Sequence, residues 1–277
     1  MTIKSLPSIG IIGFGWVGQA LFRHIEKLAV KDIVASVTSQ ERINELSTEF
    51  RLPLSVLDVT CDVIEKKSHP IFEQDSVIIC IPPKFKHGKK DYDKVISSIV
   101  TMANIGSVKQ LILLNSTAVY QGCSGVVDES TSLVLDDEKS KLMYRAEKSL
   151  EQFEGNTTVL RLAGLVGPKR HPGRFFSAIS KMQNAQLSVN LVHQQDVVLA
   201  LVEILEKQEN HAVYNLVSPY HAAKFDFYSQ ACLDLKNEIL DYQVSSERDR
   251  IINGDKIEKS TKFNYQIRDL TDWDIYR

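Results

Sequence analysis

The sequence predicts an α/β protein built on an open, doubly wound parallel sheet. Three observations support this prediction: short apolar runs alternate with helical patterns, the runs are almost continuously apolar, and a glycine-rich turn follows the first of them. Strands that alternate with helices usually pair in parallel, and strands buried on both faces lack the polar alternation of an exposed sheet. A chain of 277 residues can hold one large domain with a small second lobe.

Strands and helices are predicted in alternation along residues 1–167. The strands cover residues 9–13, 32–37, 52–59, 76–83, 108–117 and 157–167. The helices cover residues 17–28, 39–50, 92–106 and 137–155. Short β-rich apolar runs bounded by turn residues are typical of strands, and apolar residues at helical spacing are typical of the helices that connect them. This part of the chain therefore predicts the parallel sheet itself.

The character of the sequence changes after Gly167. A basic loop, "PKRHPGRF" (168–175), leads into a helix predicted over 174–185, and a second helix is predicted over 194–208. A short strand is predicted at 212–217, and the remaining residues mix short helical and strand patterns. We expect residues 168–277 partly to complete the sheet and partly to form a small C-terminal α/β substrate lobe.

Composition excludes several classes of function. The formal net charge of −2 gives no reason to expect a nucleic acid or an anionic membrane as partner. The four cysteines are scattered without C-x-x-C spacing, which predicts neither a metal site nor a disulfide framework. We expect a reduced, cytoplasmic protein, since the first residues lack a secretory signal and no apolar run approaches the roughly 20 residues of a membrane span.

A G-x-G-x-x-G pattern joins the first strand to the first helix. Gly13 would allow a tight turn, Gly15 would let the backbone approach a pyrophosphate, and Gly18 would let the helix pack close to the sheet. The alternative is a turn that merely needs small residues. The context favours a Rossmann-type dinucleotide-binding domain over residues 1–167. The turn residues predicted to contact the cofactor are Gly13, Phe14, Gly15, Trp16, Val17 and Gly18.

The end of the second strand indicates which cofactor is bound. Thr38 and Ser39 stand where an acidic residue would bind the ribose of NAD, and Arg42 follows. Hydroxyls and a guanidinium suit a 2′-phosphate, so we predict NADP, with NAD as the alternative. Asp58 closes the third strand, where it could bind the adenine amino group or cap a turn. Two further cofactor positions are predicted at the end of the fourth strand, Ile81 and Pro82.

A second group of residues predicts catalysis. Tyr144 and Lys148 are four residues apart, so they share one helix face, and a lysine ammonium lowers the pKa of a neighbouring phenol from about 10. Ser116 ends the fifth strand and would hydrogen-bond a substrate oxygen in the same crevice. Tyr220 and Lys224 match the same spacing, but they follow a turn and have no serine-rich strand end before them, so we take this second pair as chance.

Four segments resemble those of a known family and occur in its order. They are "STAVYQG" (116–122), "YRAEK" (144–148), "VLRLAGLVGP" (159–168) and "NLVHQQDVVLAL" (190–201). They resemble the extended or atypical short-chain dehydrogenases/reductases of the NAD-dependent epimerase/dehydratase family, and within it the small bacterial YeeZ-like proteins. The chain departs from the family at Ile12, which replaces the first glycine, and at Val166, where the family often has tyrosine.

The resemblance implies an NAD(P)-dependent oxidoreductase or epimerase that acts on a sugar-nucleotide-like or other small hydroxyl or carbonyl substrate. Tyr144 would be the acid/base, Lys148 would also hold the nicotinamide ribose, and Ser116 would orient the substrate oxygen. In the wider family, the helix that carries the tyrosine often forms a homodimer interface. Predicted substrate-binding residues are Thr117, Lys169, Arg170 and Arg174. The alternative to an enzyme is a catalytically silent NADP(H)-binding sensor or scaffold.

Overall fold

The strands and helices of the molecule alternate along the chain. The computed structural model describes residues 6–59, 69–83, 85, 88, 90–176, 181–207, 210–235 and 241–277. The strands are β1 (Ile9–Ile12), β2 (Ile33–Val37), β3 (Leu54–Val56), β4 (Ser76–Ile79), β5 (Gln110–Ser116), β6 (Gly125–Val127), β7 (Asn156–Leu162), β8 (Gly164–Val166), β9 (Lys181–Gln183), β10 (Leu191–His193), β11 (Ala212–Leu216), β12 (Asp241–Gln243) and β13 (Arg250–Ile252). The α-helices are α1 (Trp16–Ile25), α2 (Gln40–Leu46), α3 (Tyr92–Ile105), α4 (Glu138–Ser149), α5 (Gln194–Lys207), α6 (Lys224–Asp234) and α7 (Asp255–Ser260).

The central sheet has seven strands among the described residues, and all of them are parallel. Their order across the sheet is β11-β7-β5-β4-β1-β2-β3. Helices α1 and α5 pack together on one face, whereas α3 and α4 pack together on the other. The predicted doubly wound parallel sheet is confirmed. In such sheets, ligands bind beyond the carboxyl ends of the strands where the strand order reverses, which here is between β1 and β4.

The sixth predicted strand, over 157–167, is two strands in different sheets. β7 pairs with β5 and β11 in the central sheet, whereas β8 leaves it and pairs with β10. The break falls at Ala163, whose amide donates to the carbonyl of Leu216. At Gly164, where the chain crosses to the second sheet, an added Cβ atom would lie 2.7 Å from Cδ2 of the Leu191 side chain, so a larger residue there would require Leu191 to move. Because β7 and β8 follow each other in one apolar run, the change of sheet between them could not be predicted from the residue pattern.

The helix predicted over 174–185 is wrong wherever the structure describes these residues. Residues Pro172–Phe176 form a 3-10 turn, and Lys181–Gln183 form β9, which pairs in parallel with β12. The remaining residues of the predicted helix, 177–180, lie outside the described residues. In β9 only the middle residue, Met182, is buried, which is the alternation of a strand at a surface. Three residues are too few for this pattern to be recognised in a sequence.

The chain after Gly167 contributes both to the central sheet and to smaller structures. β11 extends the central sheet beside β7, and the two-stranded parallel sheets β10/β8, β12/β9 and β13/β6 lie outside it. The C-terminal segment is attached to the start of α5. The Asp196 carboxylate accepts the amides of Gln266 and Ile267, and His193 Nε2 lies 3.1 Å from the carbonyl oxygen of Ile275. His193 and Asp196 of the segment "NLVHQQDVVLAL" therefore hold the end of the chain.

A buried ion pair connects the central strands to α4. Arg161 on β7 donates to Glu147 on α4 through Nε (3.0 Å) and Nη2 (2.7 Å), and both residues are buried. Arg161 also donates to the Tyr120 hydroxyl, which donates to Asn215 on β11. The Asn115 amide on β5 donates to the same Glu147 carboxylate at 2.7 Å. Burial alone would lower the pKa of Arg161, but Glu147 and Tyr120 raise it above its usual range.

Removing one partner of this ion pair should destabilise the fold more than removing both. Arg161→Leu leaves the Glu147 carboxylate buried without a cation, which is expected to cost about 3–5 kcal/mol of unfolding free energy. The double variant Glu147→Leu/Arg161→Leu buries no unpaired charge and should lose less than Arg161→Leu alone. Urea unfolding of the two single variants and the double variant gives the unfolding free energy of each. If the double variant lost as much free energy as the two single variants added together, the energetic coupling between Arg161 and Glu147 would be contradicted.

Candidate functional site

Two cavities open at the carboxyl edge of the central sheet. The smaller, of about 250 Å³, lies over the ends of β1 to β4 and the start of α3. The larger, of about 1020 Å³, begins at the end of β5 and is closed by segments from the second half of the chain. Five of the predicted cofactor-binding residues line the smaller cavity: Gly13, Thr38, Asp58, Ile81 and Pro82. The larger one contains Ser116 and Thr117.

The glycine turn has the geometry that its three glycines predict. Gly13 has a φ of +90°, a backbone conformation that favours glycine, and a Cβ at Gly18 would lie 3.0 Å from the Gly13 carbonyl oxygen. In front of Gly15 there is open space, since an added Cβ would meet no atom within 4 Å. Gly15 is the N-cap of α1 and has no side chain, so no side-chain hydrogen bond occupies the first amides of this helix. These amides, with the positive end of the helix dipole, form a site that suits an anion.

The other residues of the turn have different surroundings. The side chains of Phe14 and Val17 are buried, and Phe14 packs edge-to-face against Phe22 and Phe50. Trp16 is half-buried, and its indole N–H donates to the carbonyl of Pro168 at 3.0 Å. Phe14 and Val17 can therefore contribute only backbone atoms to a ligand in the turn.

Of the polar residues predicted after β2 to bind the cofactor, Thr38 lines the smaller cavity, whereas Ser39 and Arg42 are not among its lining residues. The Ser39 hydroxyl accepts the amide of Arg42 and caps α2. The Arg42 guanidinium lies 2.6 Å from Glu45 in an exposed ion pair. Thr38 is exposed and lines the cavity directly. Exposed ion pairs contribute little stability, about 0–1 kcal/mol, so Arg42 could exchange Glu45 for another anion at small cost.

Tyr92, at the start of α3, lines the smaller cavity and was missed by sequence reasoning. It is 5% exposed, and its hydroxyl has no hydrogen-bond partner among the residues that the structure describes. Burial, together with the charge of Glu147, raises the pKa of the Tyr92 phenol well above its usual value, so the hydroxyl stays protonated and can donate. A buried polar atom without a partner in a native protein is often completed by a ligand or water.

Ser116 stands at the entrance to the larger cavity. Its hydroxyl oxygen accepts the amide of Ala118 at 3.1 Å and so caps the 3-10 turn Thr117–Tyr120, while its own proton remains available. The Thr117 hydroxyl donates to the carbonyl of Leu162 at 3.3 Å. Ser116 can therefore donate a hydrogen bond to a ligand oxygen, whereas Thr117 is already bonded to the neighbouring strand.

Tyr144 and Lys148 are neighbours on α4, which packs against the 3-10 turn after Ser116. The Lys148 ammonium lies 5.7 Å from the centre of the Tyr144 ring. Lys148 is exposed and pairs with Glu151 at 2.6 Å, and this hydrogen bond, followed by the interaction with Tyr144, raises the pKa of Lys148. Tyr144 is half-buried against the apolar cluster that includes Phe14, and it is not among the residues that line either cavity.

The basic loop after β8 lies against the glycine turn. The Arg170 guanidinium stacks 5.4 Å from the centre of the Trp16 ring, and Lys169 occupies a tight turn with a φ of +64°. Lys169, Arg170 and Arg174 are exposed, and none of the three lines the larger cavity. Among the described residues, no group of three or more histidine, cysteine or acidic side chains is arranged to hold a metal ion.

The lack of a hydrogen-bond partner for the Tyr92 hydroxyl can be tested by comparison with Tyr120, whose hydroxyl is hydrogen-bonded to Arg161 and Asn215. Tyr120→Phe leaves a charged donor and a buried acceptor unpaired and should cost about 1–3 kcal/mol of unfolding free energy. Tyr92→Phe removes a hydroxyl that bonds to no described residue and should change the unfolding free energy by less than about 0.5 kcal/mol. Urea unfolding measures both variants, and equal losses would mean that Tyr92 has a partner in the protein.

Comparisons with known proteins agree with this architecture. The family described as NADP oxidoreductase coenzyme F420-dependent matches residues 8–104, which contain the glycine turn and the smaller cavity but neither Ser116 nor Tyr144. None of the helices in the described part of the chain is both long and apolar enough to cross a lipid bilayer.

Similar proteins extend over nearly the whole chain. Protein YeeZ of Escherichia coli (strain K12) is 28% identical over 271 residues, which is 95% of this chain and 97% of YeeZ. UDP-glucuronic acid 4-epimerase from Bacillus cereus, solved with NAD, has a TM-score of 0.77 at 15% identity and covers 96% of this chain and 95% of its own. The dTDP-glucose 4,6-dehydratase DesIV from Streptomyces venezuelae has a TM-score of 0.79 at 11% identity. The match covers 96% of this chain and 94% of DesIV. The chain is similar to YeeZ over nearly its whole length and has the fold of the solved NAD-dependent epimerase and dehydratase, as its motifs predicted.

Proposed function

We propose that this protein is an NADP-preferring oxidoreductase or epimerase of the short-chain type, acting on a small hydroxyl or carbonyl substrate. One observation carries the proposal: the glycine turn, open at Gly15, and the cavity that begins at Ser116 lie at the same edge of the sheet. Similar proteins support it, since the UDP-glucuronic acid 4-epimerase and the dTDP-glucose 4,6-dehydratase were both solved with bound NAD and are named for nucleotide-sugar substrates.

The smaller cavity has the groups needed to bind the adenosine half of a dinucleotide. The first amides of α1 would bind the pyrophosphate in the open space at Gly15. Asp58 would accept from the adenine amino group, and the side chain of Tyr92 would contact the same nucleotide. Ile81 and Pro82 would form an apolar wall. The open turn at Gly15 is a feature that a bound dinucleotide would complete.

NADP is preferred in this proposal because no acidic residue ends β2. Thr38 and Ser39 occupy that position, and a 2′-phosphate could replace Glu45 as the partner of Arg42. NAD offers only a hydroxyl at the same place, so it would gain nothing from the guanidinium. The neighbouring Glu45 opposes this preference only weakly, since the pair is exposed to solvent.

Arg42→Gln should therefore weaken NADP binding selectively. Loss of one charge-assisted contact is expected to raise the Kd for NADP by roughly tenfold and to leave the Kd for NAD within about twofold. Isothermal titration with each nucleotide measures both values. Arg23→Gln, another exposed arginine paired with a glutamate, is the matched control. Equal effects of Arg42→Gln on the two nucleotides would contradict a 2′-phosphate contact.

The catalytic part of the proposal rests on Tyr144, Lys148 and Ser116. When bound, the nicotinamide would supply or accept the hydride. The Tyr144 hydroxyl would give a proton to the substrate oxygen or take one from it, and the Ser116 hydroxyl would hydrogen-bond the same oxygen. The positive charge of Lys148 beside the ring would stabilise the phenolate. In the same complex, Lys148 would exchange its exposed partner Glu151 for the cofactor ribose.

Tyr144→Phe should abolish turnover without changing cofactor affinity. Loss of a general acid/base typically costs roughly 100-fold or more in rate, whereas the phenyl ring keeps its packing. We suggest measuring NADPH consumption with a panel of UDP- and dTDP-sugars and small carbonyl compounds, together with the Kd for NADPH. Tyr220→Phe, from the second Tyr-x-x-x-Lys pair, is the matched control. Full turnover in Tyr144→Phe would contradict the assignment.

A catalytically silent NADP(H)-binding protein is the second candidate. Two observations favour it: Lys148 is engaged with Glu151, and Tyr144 does not line the larger cavity. In that case the protein would bind NADP(H) while no member of the substrate panel caused NADPH consumption.

A further inference from the structure

Arg170, in the basic loop after β8, holds its positive charge over the ring of Trp16 without a polar partner. In the described part of the chain, five cationic side chains lie over an aromatic ring, and only the charged group of Arg170 makes no hydrogen bond or ion pair with a described residue. The other four, Arg23, Lys148, Arg161 and Lys256, bond respectively to Glu49, Glu151, Glu147 and the carbonyl of Val213. A guanidinium on a ring face keeps the N–H groups of its own plane available for another acceptor.

The guanidinium of Arg170 is held in place at a cost. The protein atoms packed around it lower the pKa of Arg170 below its usual value, and no carboxylate acts in the opposite direction. At Arg161, the same effect of burial is outweighed by Glu147, which raises the pKa of that residue. A bound anion would do for Arg170 what the carboxylate does for Arg161.

The loop is fixed on both sides of Arg170. Before it, the carbonyl of Pro168 accepts the indole N–H of Trp16 at 3.0 Å, and the amide of Arg170 donates to the carbonyl of Gly167 at 2.8 Å. After it, the buried His171 packs against two aromatic rings of the C-terminal segment. The backbone is therefore held against the glycine turn, and the side chain of Arg170 is left to adjust to a ligand there.

The glycine turn itself provides no positively charged side chain. Residues 13–18 are all glycine or apolar, and the described residues that line the smaller cavity include Asp58 and Asp91 but no lysine or arginine. A dinucleotide carries a negative charge on each of its bridged phosphates, whereas the N-terminus of a helix offers only about half a positive charge. Trp16 is the first residue of α1, so its amide belongs to the anion site while its side chain holds the guanidinium.

We propose that the Arg170 guanidinium binds the pyrophosphate of the dinucleotide, in addition to the first amides of α1. A planar fork of N–H donors suits phosphate oxygens. Arg170 lines neither cavity, so it meets the dinucleotide between the adenosine half, in the smaller cavity, and the nicotinamide half, near Ser116, which is where the pyrophosphate lies. The inference rests on the proposed function, and it assigns Arg170 to the cofactor instead of the substrate.

Arg170→Gln should weaken NADP and NAD to the same extent, because the pyrophosphate is common to both. Loss of one charge-assisted contact is expected to raise the Kd for each by about tenfold. Arg170→Lys keeps the charge but loses the planar fork, so it should raise both values less. Isothermal titration measures each Kd. Arg23→Gln is the matched control and should change neither, since that guanidinium also lies over a ring, 4.6 Å from the centre of Phe50, but is paired with Glu49.

A second probe separates a lost contact from a disturbed fold. Adenosine 2′-monophosphate contains the adenosine and the 2′-phosphate but no pyrophosphate, so its Kd, measured by NMR titration, should be the same in Arg170→Gln and in the unaltered protein. An equal loss of affinity for this probe, or a loss confined to NADP, would overturn the assignment of Arg170 to the pyrophosphate. Unchanged affinities for both dinucleotides would also overturn it and leave the proposed function in place. If the unaltered protein bound neither dinucleotide, the proposed function would fail together with it.

Discussion

The buried ion pair between Arg161 and Glu147 fixes the geometry on which the candidate site depends. It joins β7 to α4, and its hydrogen bonds reach Asn115 on β5 and Tyr120 in the turn that follows. Ser116 comes directly after Asn115, and Lys148 directly after Glu147. One carboxylate therefore sets the position of the strand end that carries the serine and the helix that carries the tyrosine and lysine. Because the pair is buried, neither element can shift without separating charges in a medium of low polarity.

The carboxyl edge of the sheet is divided between two halves of the sequence. The first half forms the glycine turn, which is open at Gly15, and the smaller cavity, which the Tyr92 side chain lines. The second half forms most of the larger cavity beyond Ser116. The C-terminal segment is held through Asp196, whose carboxylate accepts two backbone amides while burial raises its pKa. The walls of the larger cavity can thus vary through loops and short strands while the sheet beneath them keeps its form.

Local signals in the sequence predicted the sheet, the glycine turn and the proximity of Tyr144 to Lys148. Each of these depends on residues that are close in sequence and on a periodicity that is several residues long. The change of sheet within 157–167 escaped prediction because buried strands in two different sheets have the same apolar pattern. Tyr92 was missed as a residue of the smaller cavity because its place there depends on how α3 packs against the sheet after folding, and no local pattern of residue types records such packing.

The most direct test of the account is a crystal structure of the protein grown with NADP⁺. The account predicts a dinucleotide whose pyrophosphate lies against the first amides of α1 at Gly15. Its adenosine half should fill the smaller cavity, in contact with the side chains of Ile81 and Tyr92, and its nicotinamide should extend toward Ser116 and Tyr144. A dinucleotide bound elsewhere on the molecule, or a smaller cavity that stays empty at a saturating concentration of NADP⁺, would contradict it.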